Sequence, residues 1–168
     1  MVDAKDFSFS GNSDVQKTLL DWWQGLDQAR GDRAELRRAT TPTEVAFCPA
    51  FHRLLHSLRR VAQPLPSSLS VIAGVLAHVK EPDMHVPFAA QMATPKAGSD
   101  RARVSDLRFR RLLKFTERDE LFEPLIRTVH LLDGSLNIVS LADGIYFWGD
   151  NVRKQWAYSY YDKTPSES

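Results

Sequence analysis

Cys48, His52 and His56 fall at i, i+4 and i+8, a spacing that lines up a thiol and two imidazoles on one side of a helix. Adjacent members have the right chemistry for zinc. The outer two would lie about 12 Å apart along a helix rising about 1.5 Å per residue, so the three cannot share one ion. No CxxC or HExxH accompanies them, and no metal site is expected. A Cys48–His52 nucleophile pair would need an orienting group and an oxyanion site, and the sequence marks neither. His78 lies in an apolar stretch and reads as a satisfied core residue, while His85 and His130 carry no pattern. GxGxxG, GxxxxGK[ST] and GxSxG are all absent. The chain reads as one without catalytic residues or cofactors.

The second chemistry is electrostatic. Residues 101–118, RARVSDLRFRRLLKFTER, carry seven cations against two anions. Ser105 is a natural helix N-cap, with Asp106 favourably placed at the positive helix end. Phe109, Leu112 and Leu113 then fall on one face, and Arg103, Arg110 and Lys114 on the other at i, i+7 and i+11, with Arg111 on the flank. A helix anchored by one face and cationic on the other suits a phosphate backbone. A solvated face neutralised by acids elsewhere is the competing reading. A smaller row, Arg30, Arg33 and Arg37, recurs at i, i+3 and i+7. The aromatic stretches 146–148 and 156–161 could stack bases beside Arg153 and Lys154, but Val152 and Trp156 at i and i+4 favour a core role.

These groups need helices to hold them. Apolar periodicity predicts helices over residues 13–29, 33–39 and 49–60, a largely buried one from Ser67 or Ser68 to Lys80, then helices over 104–114, 121–132, 136–148 and 152–161. Arg30-Gly31-Asp32 reads as a break, and Thr41-Pro42-Thr43-Glu44 as a capping box with proline at the first helical position. Residues 1–12 and 162–168 read as loose ends. The fold class is all-α, a helical bundle in two halves (13–80 and 104–161) joined by a Pro/Gly-rich connection over about 81–103, with a short helical turn at 88–93. With 168 residues, 43% hydrophobic and 26% charged, the chain can bury a real core. The net charge is only +1, so any anion-binding surface is a local patch. One cysteine allows no internal disulfide, and the longest apolar run is too short to span a bilayer. The expected setting is soluble and cytoplasmic.

Three blocks carry a resemblance: Arg30–Arg38 (RGDRAELRR), Pro49–Leu55 (PAFHRLL) and Arg103–Lys114 (RVSDLRFRRLLK), followed by Trp148, Trp156 and Tyr160-Tyr161. Together they resemble the CasB family, the small subunit of the type I-E CRISPR surveillance complex Cascade, over residues 19–161. The resemblance implies a non-enzymatic all-α subunit, present in two copies beside the other Cascade subunits and the crRNA. There it would hold the displaced non-target DNA strand and stabilise the R-loop. Carried across, the basic groove uses Arg108, Arg110 and Arg111, with Arg33, Arg37, Arg38 and Arg53 as weaker members; the charge row on the same helix adds Arg103 and Lys114 as candidate nucleic-acid-binding residues. Residues 80–100 match only around 88–93, so no partner contact is carried through them. A helical protein–protein adaptor without nucleic-acid affinity is the alternative.

Overall fold

The computed structural model describes residues 7–164. The expected loose ends at 1–6 and 165–168 lie outside these residues. Ten helices run in the order α1 (Ser13–Gly25), α2 (Arg30–Arg38), α3 (Pro42–Val45), α4 (Pro49–Arg59), α5 (Pro66–Leu76), α6 (Phe88–Ala93), α7 (Asp106–Leu113), α8 (Phe122–Leu131), α9 (Ile138–Tyr146) and α10 (Asp150–Lys163). A 3₁₀ turn, Arg118–Leu121, leads into α8. The mainly α architecture follows the apolar periodicity. A two-residue parallel pair, β1 (Glu81–Pro82) with β2 (Ser135–Leu136), adds the described strands. It is held by the Lys80 and Asp83 amides donating at 2.8 Å to the carbonyls of Gly134 and Leu136. The chain enters β2 through Asp133 and Gly134 at positive φ, where a Cβ on Gly134 would fall 2.9 Å from Lys80 Cγ.

Local chemistry explains most boundaries. Prolines open α3, α4 and α5 at the position where a missing amide hydrogen costs nothing. Asn12, rather than Ser13, caps α1, its Oδ1 accepting from the Asp14 and Val15 amides at 3.1 Å. Arg30-Gly31-Asp32 is not a break: α2 begins at Arg30, with Asp32 in its first turn. The capping box at Thr41 is half formed. Thr41 Oγ1 accepts from the Glu44 amide, but the Glu44 carboxylate turns to the Thr40 amide.

α5 is the hub. Residues 68–77 are all buried, and α5 packs against α3, α4, α8 and α9. Such a helix has no face for solvent, which explains its apolar character all round. Trp22 and Trp23 divide as their adjacency requires. Trp23 is buried and donates to the Leu76 carbonyl at 3.1 Å, while half-buried Trp22 donates to the Ala50 carbonyl at 3.0 Å. Residues 7–12, expected as tail, are anchored instead. Phe7 stacks on Tyr146 at 4.5 Å, and the Asp143 carboxylate accepts from the Phe9 amide at 2.6 Å. The stretch expected as a connection, 81–103, contains α6, which is wholly buried and packs along α10.

Candidate nucleic-acid interface

α7 forms as its pattern dictates. Ser105 Oγ accepts from the Arg108 amide, and Phe109 and Leu112 are buried. Phe109 lies flat on Tyr160, with centroids 4.0 Å apart and rings 6° from parallel. The Tyr160 hydroxyl donates to the Val104 carbonyl at 2.6 Å, so one residue of α10 holds both the chain just before the α7 cap and the buried face of α7. Tyr146, Trp148, Trp156 and Tyr160 are buried, as a core role requires, whereas Phe147, Tyr158 and Tyr161 of the same stretches are exposed. Arg153 Nε donates to the Leu113 carbonyl at 2.6 Å, closing the C-terminal end of α7.

The α7 cations do not share one surface. Arg103 precedes the helix, so it belongs to no helical row; it is half-buried and lies near the carboxylates of Asp83 and Asp133. Arg110 pairs with Asp106 at 3.0 Å, and Asp106 also accepts from the Tyr161 hydroxyl, so this pair faces α10. Lys114 caps the helix end and is exposed. Arg108 and Arg111 instead line a cleft of about 550 Å³ between α7 and α8, together with Arg127 and His130 of α8. Neither Arg108 nor Arg111 forms an ion pair among the described residues.

The N-terminal candidates also separate. Arg37 Nε donates to the Ala77 carbonyl at 2.7 Å, which places its guanidinium at the C-terminal end of α5. Partial burial and the neighbouring Arg33 lower its pKa. Arg33 lies beneath the surface, its side chain 14% exposed, with Nη1 on Asp27 at 2.6 Å and Nε and Nη2 unpartnered. Arg38 turns the other way, toward Glu35, Glu44 and Cys48, and Arg53 pairs with Asp32 across α2 and α4.

One contact links the two sets. His78, just past α5, meets His130 of α8 edge to face, with centroids 5.4 Å apart. Burial, then the nearby His130 and Arg37 charges, push the His78 pKa down to about 4. Its Nε2 has no hydrogen-bond partner, so His78 is not the satisfied core residue its surroundings implied. Basic residues thus follow one another from Arg37 past the neutral His78 to His130, Arg127, Arg111 and Arg108, with the positive charge carried by the arginines at the two ends. Arg127 and His130 were not picked out in the sequence. Their spacing, i and i+3 on a helix whose other side is apolar, was the available signal.

The thiol–imidazole row does not assemble. Cys48 is buried with Sγ toward the Glu44 carbonyl, and burial pushes its thiol up to about 11. His52 Nε2 lies 2.7 Å from the Ala46 carbonyl. Among the described residues no three His, Cys, Asp or Glu side chains could jointly hold a metal ion, and no helix is long and apolar enough to cross a membrane.

Comparison with known proteins gives two findings. A sequence model of the family described as CRISPR-associated protein Cse2 matches residues 32–161. A chain in the crystal structure of E. coli Cascade bound to a PAM-containing dsDNA target is similar in fold, with a TM-score of 0.69 at 22% identity over 86% of this chain and 92% of that one. No curated protein sequence matches the chain.

Proposed function

The chain belongs to the Cse2 family of CRISPR-associated proteins, and from that membership we propose that it is a non-catalytic small subunit of a type I-E Cascade complex that holds displaced single-stranded DNA. The supporting observation is the set of arginines Arg108, Arg111 and Arg127 flanking an open cleft between α7 and α8, with Arg37 beyond the His130–His78 contact. Phosphate contacts of this kind fix a strand without reading its bases. An R-loop is a near-balanced exchange of one duplex for another, so a few such contacts to the freed strand shift it toward the open form. The near-neutral net charge leaves much of the surface for the crRNA-containing assembly, the other subunits and a second copy of this chain.

The test is binding of a labelled single strand by the full chain across salt concentrations. The expected result is a linear fall of log affinity with log salt, alike for unrelated sequences. No binding at low salt, or binding confined to one sequence, would overturn it.

A further inference from the structure

We infer that the cleft between α7 and α8 is a nucleotide subsite, receiving one unstacked base while the flanking arginines grip its phosphates; this rests on the single-strand reading above. The cleft, about 550 Å³, is of the size that takes small-molecule groups rather than a smooth backbone track. Arg108 and Arg111 come from α7, and Arg127 and His130 from α8. The apolar lining includes Phe115, half-buried, and Leu131, which is 37% exposed.

A surface meant only for phosphates gains nothing from exposing Leu131 beside a phenylalanine. Cations on both walls over an apolar lining match a ligand with a flat apolar face and an anionic tail, as in a nucleotide. The cations are available: Arg108 and Arg111 have no acidic partner among the described residues, and Arg127 meets only the exposed Glu123 at 2.9 Å, a weak and exchangeable pair. An aromatic acidic peptide would share this chemistry. The nucleotide is favoured because His130 lines the cleft and meets His78, near which Arg37 lies, so a strand whose phosphates reach from Arg37 to the α7–α8 arginines passes the cleft. A stacked base in duplex DNA cannot enter, which makes the subsite selective for single strands.

The experiment compares the full chain's affinity for a labelled oligothymidylate and for an abasic strand with the same number of phosphates. The expected result is about tenfold weaker binding of the abasic strand. Leu131→Ser should narrow that gap, whereas Arg108→Ala should weaken both strands together. Equal affinity for both strands in the unaltered protein, with the salt dependence intact, would overturn the subsite and leave the proposed function standing. An acidic tyrosine-containing peptide that binds at the cleft while the two strands bind alike would assign it to a protein partner instead. Absence of binding to either strand would overturn both readings.

Discussion

His78 and His130 meet edge to face, ring centroids 5.4 Å apart and planes 80° to each other, where the end of α5 passes the end of α8. His78 is the more enclosed ring, and the Arg37 charge lies close enough to act on it. The line of basic residues therefore crosses from the α2 side to the α7–α8 side at a neutral imidazole, with its charge on the arginines at either end.

That arrangement predicts acid sensitivity. The His78 pKa is pushed from 6.5 to about 4 in the folded chain, by burial first and then by His130 and Arg37. Above pH about 6.5 the ring is neutral in both states and has no pH-dependent effect. As pH falls from about 6.5 toward 4 the unfolded chain gains a proton that the folded one refuses, so stability falls. Allowing for the partial exposure of the ring, the loss should be about 1–2 kcal/mol. Urea denaturation at pH 7 and pH 5 checks this: His78→Gln should flatten the difference, and an unchanged pH dependence would refute the assignment.

Removing charge should separate the α7 cations. Arg108→Ala, Arg111→Ala and Arg127→Ala together should weaken single-strand binding alike for every sequence and lower the log–log salt slope by about 2. The pair Arg110→Ala and Lys114→Ala should do less, because Arg110 is turned toward α10 by Asp106, which Tyr161 also holds, and neither residue lines the cleft. Salt titrations of both variants decide it, and an equal loss in each would show that the cleft is not the main contact.

Arg118 is expected to act in stability alone. Its Nε and Nη2 donate at 2.7 Å to the carbonyls of Ile145 and Tyr146, satisfying the end of α9. Arg118→Ala should cost about 2 kcal/mol, and Arg118→Lys a large part of that because an ammonium cannot fork to both carbonyls. Thermal melts should show the loss, with strand affinity at permissive temperature unaltered.

Much of this architecture was legible because it is periodic. The α7 cap at Ser105, the buried face of Phe109 and Leu112, the encased α5 and the division of Trp22 from Trp23 all follow from spacing on a 3.6-residue helix. What could not be read is where an arginine's long side chain ends. Arg37, Arg118 and Arg153 each turn onto the carbonyls of another helix's last turn, across 40, 27 and 40 residues of sequence. Arg110 and Arg111 are adjacent in sequence yet face α10 and α8 respectively. Phe7 and Phe9, too few to show a period, are held by Tyr146 and Asp143, which only the fold brings near.

Cys48 should be inert in the folded protein. It is 4% exposed and its thiol is pushed up to about 11, first by burial and then by Glu35, so at pH 8 about one molecule in a thousand carries a thiolate. A thiol reagent should label it only after urea is added. Rapid labelling of the native chain would reopen the nucleophile reading of Cys48 and His52.

Two glycines in helices should respond in opposite directions to the same substitution. A Cβ on Gly74 would fall 2.4 Å from Phe122 Cε2 and 2.8 Å from Val45 Cγ2, where α5 meets α8 and α3. Both neighbours are buried, so neither ring nor methyl has room to retreat. Gly74→Ala should therefore cost about 1–3 kcal/mol through overpacking, despite alanine's better helix propensity. Gly31, in the first turn of α2, has nothing within 4 Å of the same added atom. Gly31→Ala should stabilise the fold by about 0.5 kcal/mol, by narrowing the unfolded ensemble and favouring the helix. Paired urea titrations measure both. If Gly74→Ala proved neutral, α5 would have slack against α8, and its role as the close-packed centre of the fold would fail.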